Sequence, residues 1–203
     1  MGKEYNAMKL VNVFIGDSVT DCGRDIQPPY GDGYVNDIAT CGKLPGRIIN
    51  VGASGHRLVD LEGRWEKDVI EYSPTLVSVA IGINDTWRRY DDNDPTSVVD
   101  FETRYRRILN LTRERCNPAF VLCEPFLLPV RAEMSLWRED LDPKIEVVHK
   151  LANEFDAVLV EFDARFTSES KEIPMSELAE DGIHPTPYGH SLMAKIWLES
   201  VGL

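Results

Sequence analysis

The sequence predicts an α/β sandwich, read as one domain over residues 1–203, with a mainly parallel sheet covered by helices on both faces. Three observations carry this. Five short apolar runs recur along the chain, at Leu10–Ile15, Ile48–Val51, Leu76–Ile81, Phe120–Cys123 and Ala157–Phe162. Each is rich in Val, Ile or Phe and poor in polar residues, as strands buried on both faces are. Between the runs stand stretches of helical periodicity. Finally, the chain shows no internal repeat, low-complexity tract or linker, and 203 residues suffice for a full core.

The elements follow in order. The first run ends on "GDSVTD", whose Gly, Asp and Ser stop a strand. After the second run, Leu58, Leu61, Trp65, Val69 and Tyr72 recur at three- and four-residue steps and predict a helix with Trp65 in the core. Phe101, Tyr105, Ile108 and Leu109 mark a second helix, Val148, Leu151, Ala152 and Phe155 a third, and Leu192, Ile196 and Trp197 a last one. Asp94-Pro95, Asp142-Pro143 and Thr186-Pro187 each set a capping side chain before a proline and predict helix starts. The polar run Asp91-Asp92-Asn93-Asp94 is a loop; the other ligands of a calcium loop are missing.

The charge narrows the partners. With 22 Lys+Arg against 34 Asp+Glu, the formal net charge is −12. That disfavours nucleic acid and anionic membranes, and favours a small neutral substrate. Four cysteines show neither CxxC nor metal spacing, so no metal or cofactor is expected. "MGKEYN" has Asn6 where a myristoylation signal wants Ser or Thr, and the apolar run after Lys9 is too short for a signal peptide. A cytoplasmic protein with reduced thiols is the expectation.

In an open parallel sheet, ligands sit beyond the carboxyl ends of the strands. Ser18 follows the first strand, Gly52 the second in "NVGASG", and Asn84 the third in "AIGIND". A serine becomes a nucleophile when a base takes its proton and donors receive the oxyanion. Asp181 and His184, three apart and about one helical turn, can supply that base and its orienting carboxylate. The N–H groups of Ser18 and Gly52 and the Asn84 amide are the expected oxyanion donors, glycine at 52 allowing close backbone approach to substrate. His56 and Trp87 are candidates to line the pocket, Trp87 by stacking on a sugar ring. Asp17 and Asp21 are read as loop-holding acceptors of backbone N–H bonds, with Asp17 also near the substrate. Asp85, His149 and His190 are read as structural.

The ordered blocks "GDS" at 16–18, Gly52 in "NVGASG", "GIND" at 82–85 and "DGIH" at 181–184 resemble the signature blocks of the SGNH (GDSL) hydrolases. The resemblance implies a three-layer α/β/α sandwich with a five-stranded parallel sheet. It also implies Ser18 as nucleophile, His184 with Asp181 as base and orienter, and an oxyanion hole of Ser18, Gly52 and Asn84. "FIGDSVTDCGR", "LEGRWEKDVIEYSPTLVSVAIGINDTWRRY" and "HPTPYGH" are similar to the carbohydrate esterases of this superfamily, notably intracellular acetylxylan esterases. That implies removal of acetyl groups from xylo-oligosaccharides through an acyl-enzyme, and possible homo-oligomers. Two other readings stand beside it. A lipid or thioester acylhydrolase could use the same triad. A flavodoxin-like binding module could cradle a phosphate on the hydroxyls of "GDSVTD".

Overall fold

The computed structural model describes residues 10–203. Residues 1–9, with the Gly2 and Asn6 weighed above for an acyl anchor, lie outside them, whereas the apolar run after Lys9 becomes the first strand. Chain order gives β1 (Val11–Gly16), α1 (Ser18–Asp21), α2 (Tyr34–Thr40), β2 (Arg47–Asn50) and α3 (Leu58–Asp68). Then follow β3 (Leu76–Ala80), α4 (Ile83–Asp91), α5 (Val98–Arg115), β4 (Ala119–Cys123) and α6 (Arg138–Glu154). The last are β5 (Val158–Val160), α7 (Phe162–Glu169), α8 (Met175–Leu178) and α9 (Pro187–Ser200).

All five apolar runs become strands of one sheet, parallel throughout, in the order β2-β1-β3-β4-β5. The sheet separates two cores, because successive strand side chains point to opposite faces. Val13, Ile15, Val77, Val79 and Leu122 meet α3, α5 and α6 on one side. Phe14, Val121, Cys123 and Val160 meet α2, α7 and α9 on the other. Each face buries a tryptophan whose indole N–H is satisfied. Trp65 Nε1 donates to Thr112 Oγ1 at 2.7 Å, and Trp197 Nε1 donates to Ser78 Oγ at 3.0 Å. A ring of this size buries 150–250 Å², so the partner spares a large apolar contribution from the cost of an unpaired donor.

Strand order is what positions the site. β1 lies between β2 and β3, with Val13 opposite both Ile49 and Val77. The loops after β1, β2 and β3 therefore emerge side by side at one edge. Among the described residues no helix is long and apolar enough to cross a membrane.

Two of the three Pro-marked helix starts fall elsewhere. α5 is capped by Ser97, whose Oγ accepts the Asp100 N–H at 3.1 Å. Asp94 is drawn away by Arg57, which donates to its carboxylate at 2.8 Å. Pro143 lies inside α6. The chain turns earlier, through a 3₁₀ stretch at Ala132–Trp137 that buries Met134 and Trp137, and Asp142 pairs with Arg138 instead of capping. The Thr186-Pro187 start holds, with Thr186 Oγ1 accepting the Gly189 N–H at 3.1 Å. The helix through Tyr72 stops at Asp68, and Val69 and Ile70 bury themselves by a change to a 3₁₀ turn at Ile70–Tyr72.

Candidate active site

Ser18 opens α1 directly beyond β1, capped by Asp17, whose Oδ1 accepts the Val19 N–H at 3.0 Å. Ser18 Oγ lies 2.9 Å from His184 Nε2, and His184 Nδ1 lies 2.7 Å from Asp181 Oδ2. The hydrogen-bond partners assign the ring proton to Nδ1, directed at the carboxylate, and leave Nε2 bare toward the hydroxyl. Partial burial works against the Asp181 charge. The His184 imidazole and the N–H groups of His184 and Ile183 outweigh it and hold this carboxyl below its ordinary range.

The Asp181–His184 pair does not use a helical turn. Asp181 Oδ1 accepts the N–H groups of Ile183 and His184 at 2.9 and 2.7 Å, an aspartate-centred turn that brings the ring back onto Oδ2. Gly182 makes this possible at φ +86°, and a Cβ there would stand 2.1 Å from the Leu128 carbonyl oxygen. Leu128 N–H in turn donates to the Gly182 carbonyl at 2.9 Å, so the segment after β4 backs the turn.

The oxyanion candidates gather as the strand order requires, with one correction. Asn84 is buried in the first turn of α4, and its Nδ2 donates to the His56 carbonyl at 3.1 Å, which leaves a second amide hydrogen. Gly52 is not a glycine for the sake of a substrate. A Cβ at 52 would stand 2.3 Å from Asp21 N and 2.6 Å from the Thr20 carbonyl carbon, so the residue admits the backbone of α1. Nor is its N–H free, since it donates to Asn50 Oδ1 at 2.9 Å. Asn50 is held for that task by its own amide, bound to the carbonyls of Thr20 and Tyr30 at 2.7 and 2.8 Å.

Trp87 of α4 is half-buried, its ring 6.1 Å from the His184 ring and 5.9 Å from that of Trp137. It is thus both an edge of the core and a wall of the site. His56 holds Asn84 through its carbonyl, while its ring accepts from Arg64 Nε at 3.1 Å. Asp17 is buried, and burial pushes its carboxyl up to about 7 despite the Val19 N–H and the nearby His184. It borders a cavity of about 20 Å³ with Val19, Ile81, Glu124 and Ile183. Asp21 accepts from Ser54 Oγ at 2.8 Å and pairs with Arg24, not with backbone donors. Asp85 is structural: Oδ2 receives the Leu58 N–H at 3.0 Å, and burial raises its carboxyl to about 6. His149 pairs with the buried Glu124, and His190 receives the Tyr34 N–H at 3.2 Å. Burial lowers His190 to about 4.

A phosphate cradle in "GDSVTD" is not available. Ser18 Oγ is committed to His184, and Thr20 Oγ1 to the Tyr34 hydroxyl at 3.1 Å. Beside His184 opens a cleft of about 750 Å³ lined by Val130, Arg131, Ser176, Glu180 and Pro187. Residues with no sequence signal complete the site. Arg64 binds the strand ends, Asn50 takes the Gly52 N–H, and Arg24 Nη2 donates to the Gly52 carbonyl at 2.9 Å.

A parallel sheet in 2-1-3-4-5 order, with hydroxyl, imidazole and carboxylate aligned at its carboxyl edge, is the architecture of an α/β hydrolase in the broad sense. The comparisons make the class specific. Residues 14–192 match the GDSL-like lipase/acylhydrolase family, and the chain belongs to it. Its chemistry is therefore that of a carboxylic ester hydrolase. An acetylxylan esterase of Geobacillus stearothermophilus is 34% identical over 206 residues, covering 94% of this chain and 93% of that one. The crystal structure of that esterase superposes with a TM-score of 0.85 at 32% identity, over 96% of this chain and 95% of that one. A GDSL-like protein of Parabacteroides merdae gives a TM-score of 0.89 at 36% identity, over 95% of both chains. The Geobacillus enzyme has also been solved as catalytic mutants at a serine, an aspartate and a histidine three residues beyond it. A further variant there replaces the tryptophan directly before that aspartate, where this chain has Glu180 before Asp181.

Proposed function

We propose that this chain removes acetyl groups from small neutral carbohydrates, xylo-oligosaccharides foremost, through an acyl-enzyme formed on Ser18. The observation that carries the reading is the unbroken relay of Ser18 Oγ, His184 and Asp181 at 2.9 and 2.7 Å. Ser18 Oγ attacks the acetyl carbonyl carbon while His184 Nε2 takes its proton, and Asp181 stabilises the imidazolium. The carbonyl oxygen takes the displaced electron pair. Its donors are the Ser18 N–H, which α1 leaves without an internal partner, and the second hydrogen of Asn84 Nδ2. Gly52 N–H, held by Asn50 Oδ1 at 2.9 Å, is not counted among them. His184 then protonates the departing sugar oxygen, and later deprotonates the water that releases acetate and restores Ser18. No step calls for a metal or cofactor.

Support for a sugar is the set of hydrogen-bonding side chains that stand among the apolar ones of the open cleft, Arg131, Ser176 and Glu180, and the Trp87 ring beside His184. The similarity to the Geobacillus acetylxylan esterase agrees with it. Glu180, standing where that enzyme has tryptophan, offers a hydrogen-bond acceptor at the cleft in place of an indole ring. The whole chain acts as one catalytic domain. We place the enzyme in the cytoplasm, supported by four cysteines that the fold leaves unpaired.

The test is initial rates on 4-nitrophenyl acetate, butyrate and octanoate, and acetate release from acetylated xylo-oligosaccharides, for wild type and Ser18→Ala. The expected result is a steep preference for acetyl, and a loss of at least ~10³-fold in the variant with an unchanged melting temperature. Rates that hold or rise with chain length move the assignment to a lipid or thioester acylhydrolase. Wild-type rates in Ser18→Ala remove the mechanism.

A further inference from the structure

Parallel strands end with carbonyls that the sheet no longer pairs, and a buried carbonyl needs a donor. At the carboxyl ends of β1 and β2 one side chain from α3 supplies it. Arg64 Nη1 donates to the Val51 carbonyl at 2.7 Å, and Nη2 donates to the Gly16 carbonyl at 3.2 Å. Its Nε donates to His56 Nδ1 at 3.1 Å, and Asp68 Oδ2 balances its charge at 2.7 Å. The Arg64 side chain is 18% exposed, so these bonds are little diluted by water.

Each partner adjoins a different part of the proposed oxyanion site. Gly16 precedes Ser18 by two residues, and its carbonyl also receives the Ala53 N–H at 3.1 Å. The Val51 carbonyl and the Gly52 N–H belong to one planar peptide, so holding the oxygen fixes the hydrogen on Asn50 Oδ1, and the Asn50 amide in turn holds the Thr20 carbonyl of α1, the helix that Ser18 opens. The His56 carbonyl holds the Asn84 amide. A guanidinium is the group that can do this, since its planar fork offers several donors in fixed directions, which an ammonium on a flexible stem does not.

We propose that Arg64 is the positioning residue of the oxyanion site, setting the Val51–Gly52 peptide, the end of β1 and, through His56, the Asn84 amide. The inference rests on the reading of Ser18 as nucleophile. It also fixes a tautomer. A His56 Nδ1 that accepts from Arg64 carries no hydrogen, so the ring proton sits on Nε2.

The experiment compares wild type, Ser18→Ala, Arg64→Lys and Asp68→Asn on 4-nitrophenyl acetate, with thermal melts of each. Arg64→Lys is expected to lower kcat by ~10–100-fold while KM stays within about twofold, the signature of misplaced transition-state donors. Asp68→Asn, which removes the ion pair but keeps the carbonyl bonds, is expected to melt earlier yet hold kcat within about twofold. A wild-type kcat in Arg64→Lys overturns the inference, as does a loss of kcat that tracks the melting temperature in both variants. Should Arg64→Lys not fold, long-range ¹H–¹⁵N correlation of the wild-type His56 ring decides. A proton on Nε2 supports the arrangement, and one on Nδ1 overturns it. The two readings fail separately: Ser18→Ala at wild-type rate removes the nucleophile, whereas Ser18-dependent turnover untouched by Arg64→Lys removes this inference alone.

Discussion

Ser18, His184 and Asp181 are each unremarkable as single residues, and their chemistry comes from what surrounds them. Asp17 shows how far surroundings can move a group. Burial raises its carboxyl to about 7, against 3.8 for an unperturbed aspartate. Between those two values the folded protein keeps a proton that the unfolded chain has released, so stability declines as pH rises through that window. Asp17→Asn removes the titration and leaves a side-chain oxygen for the Val19 N–H. The expected outcome is a melting temperature above that of wild type at pH 8, by a margin that shrinks toward pH 4. Melts across that range check it, and a pH-independent difference would refute the assignment. At this scale the sequence was legible for Ser18, His184, Asp181 and Asn84, which sit in short blocks whose residue types name their chemistry. It was silent on Arg64 and Asn50, because an arginine in an amphipathic helix and an asparagine at a strand end look like ordinary polar residues until their partners are known.

Elements place these side chains, and their ends matter most. α9 begins where the Asp181–His184 turn finishes, and Thr186 ties its first turn to α8. Its Oγ1 accepts the Gly189 N–H at 3.1 Å and donates to the Glu177 carbonyl at 2.6 Å. Thr186→Ala is expected to cost ~1 kcal/mol, hence ~2–4 °C in melting temperature for a chain of this size. Calorimetry of the two proteins checks the figure. The contrasting starts of α5 and α6 show the limit of local signals. Asp94-Pro95 and Asp142-Pro143 carry the same capping pattern as Thr186-Pro187, yet Arg57 takes the first aspartate and Arg138 the second. A cap signal reports what a residue offers its own backbone, and a guanidinium can draw it away, from another segment for Asp94 or from one turn earlier in the same helix for Asp142. Similarly, the three-residue spacing of Asp181 and His184 suggested a helical turn, whereas Gly182 permits a tighter turn centred on the aspartate.

The whole molecule adds its field. The formal charge is −12, and long-range repulsion of that sign is expected to slow the approach of anions at low salt. For an anionic aryl acetate, kcat/KM is expected to rise ~2–5-fold between 0.01 and 0.3 M NaCl, while a neutral acetate changes little. Steady-state rates across that range decide, and equal responses of the two esters would show that surface charge does not steer substrates.

The strands, the alternation that makes a parallel sheet, and the four blocks at its carboxyl edge were determined by the sequence alone. Apolar patterning and residue chemistry are local properties, and they survive being read one segment at a time. What only the tertiary structure decided is who bonds to whom across segments far apart in the chain. Arg64 staples β1 to β2, Asn50 occupies the Gly52 N–H, and Gly52 is small because α1 rests on it. Such contacts depend on distances set by the strand order and by packing, which no single stretch of sequence contains.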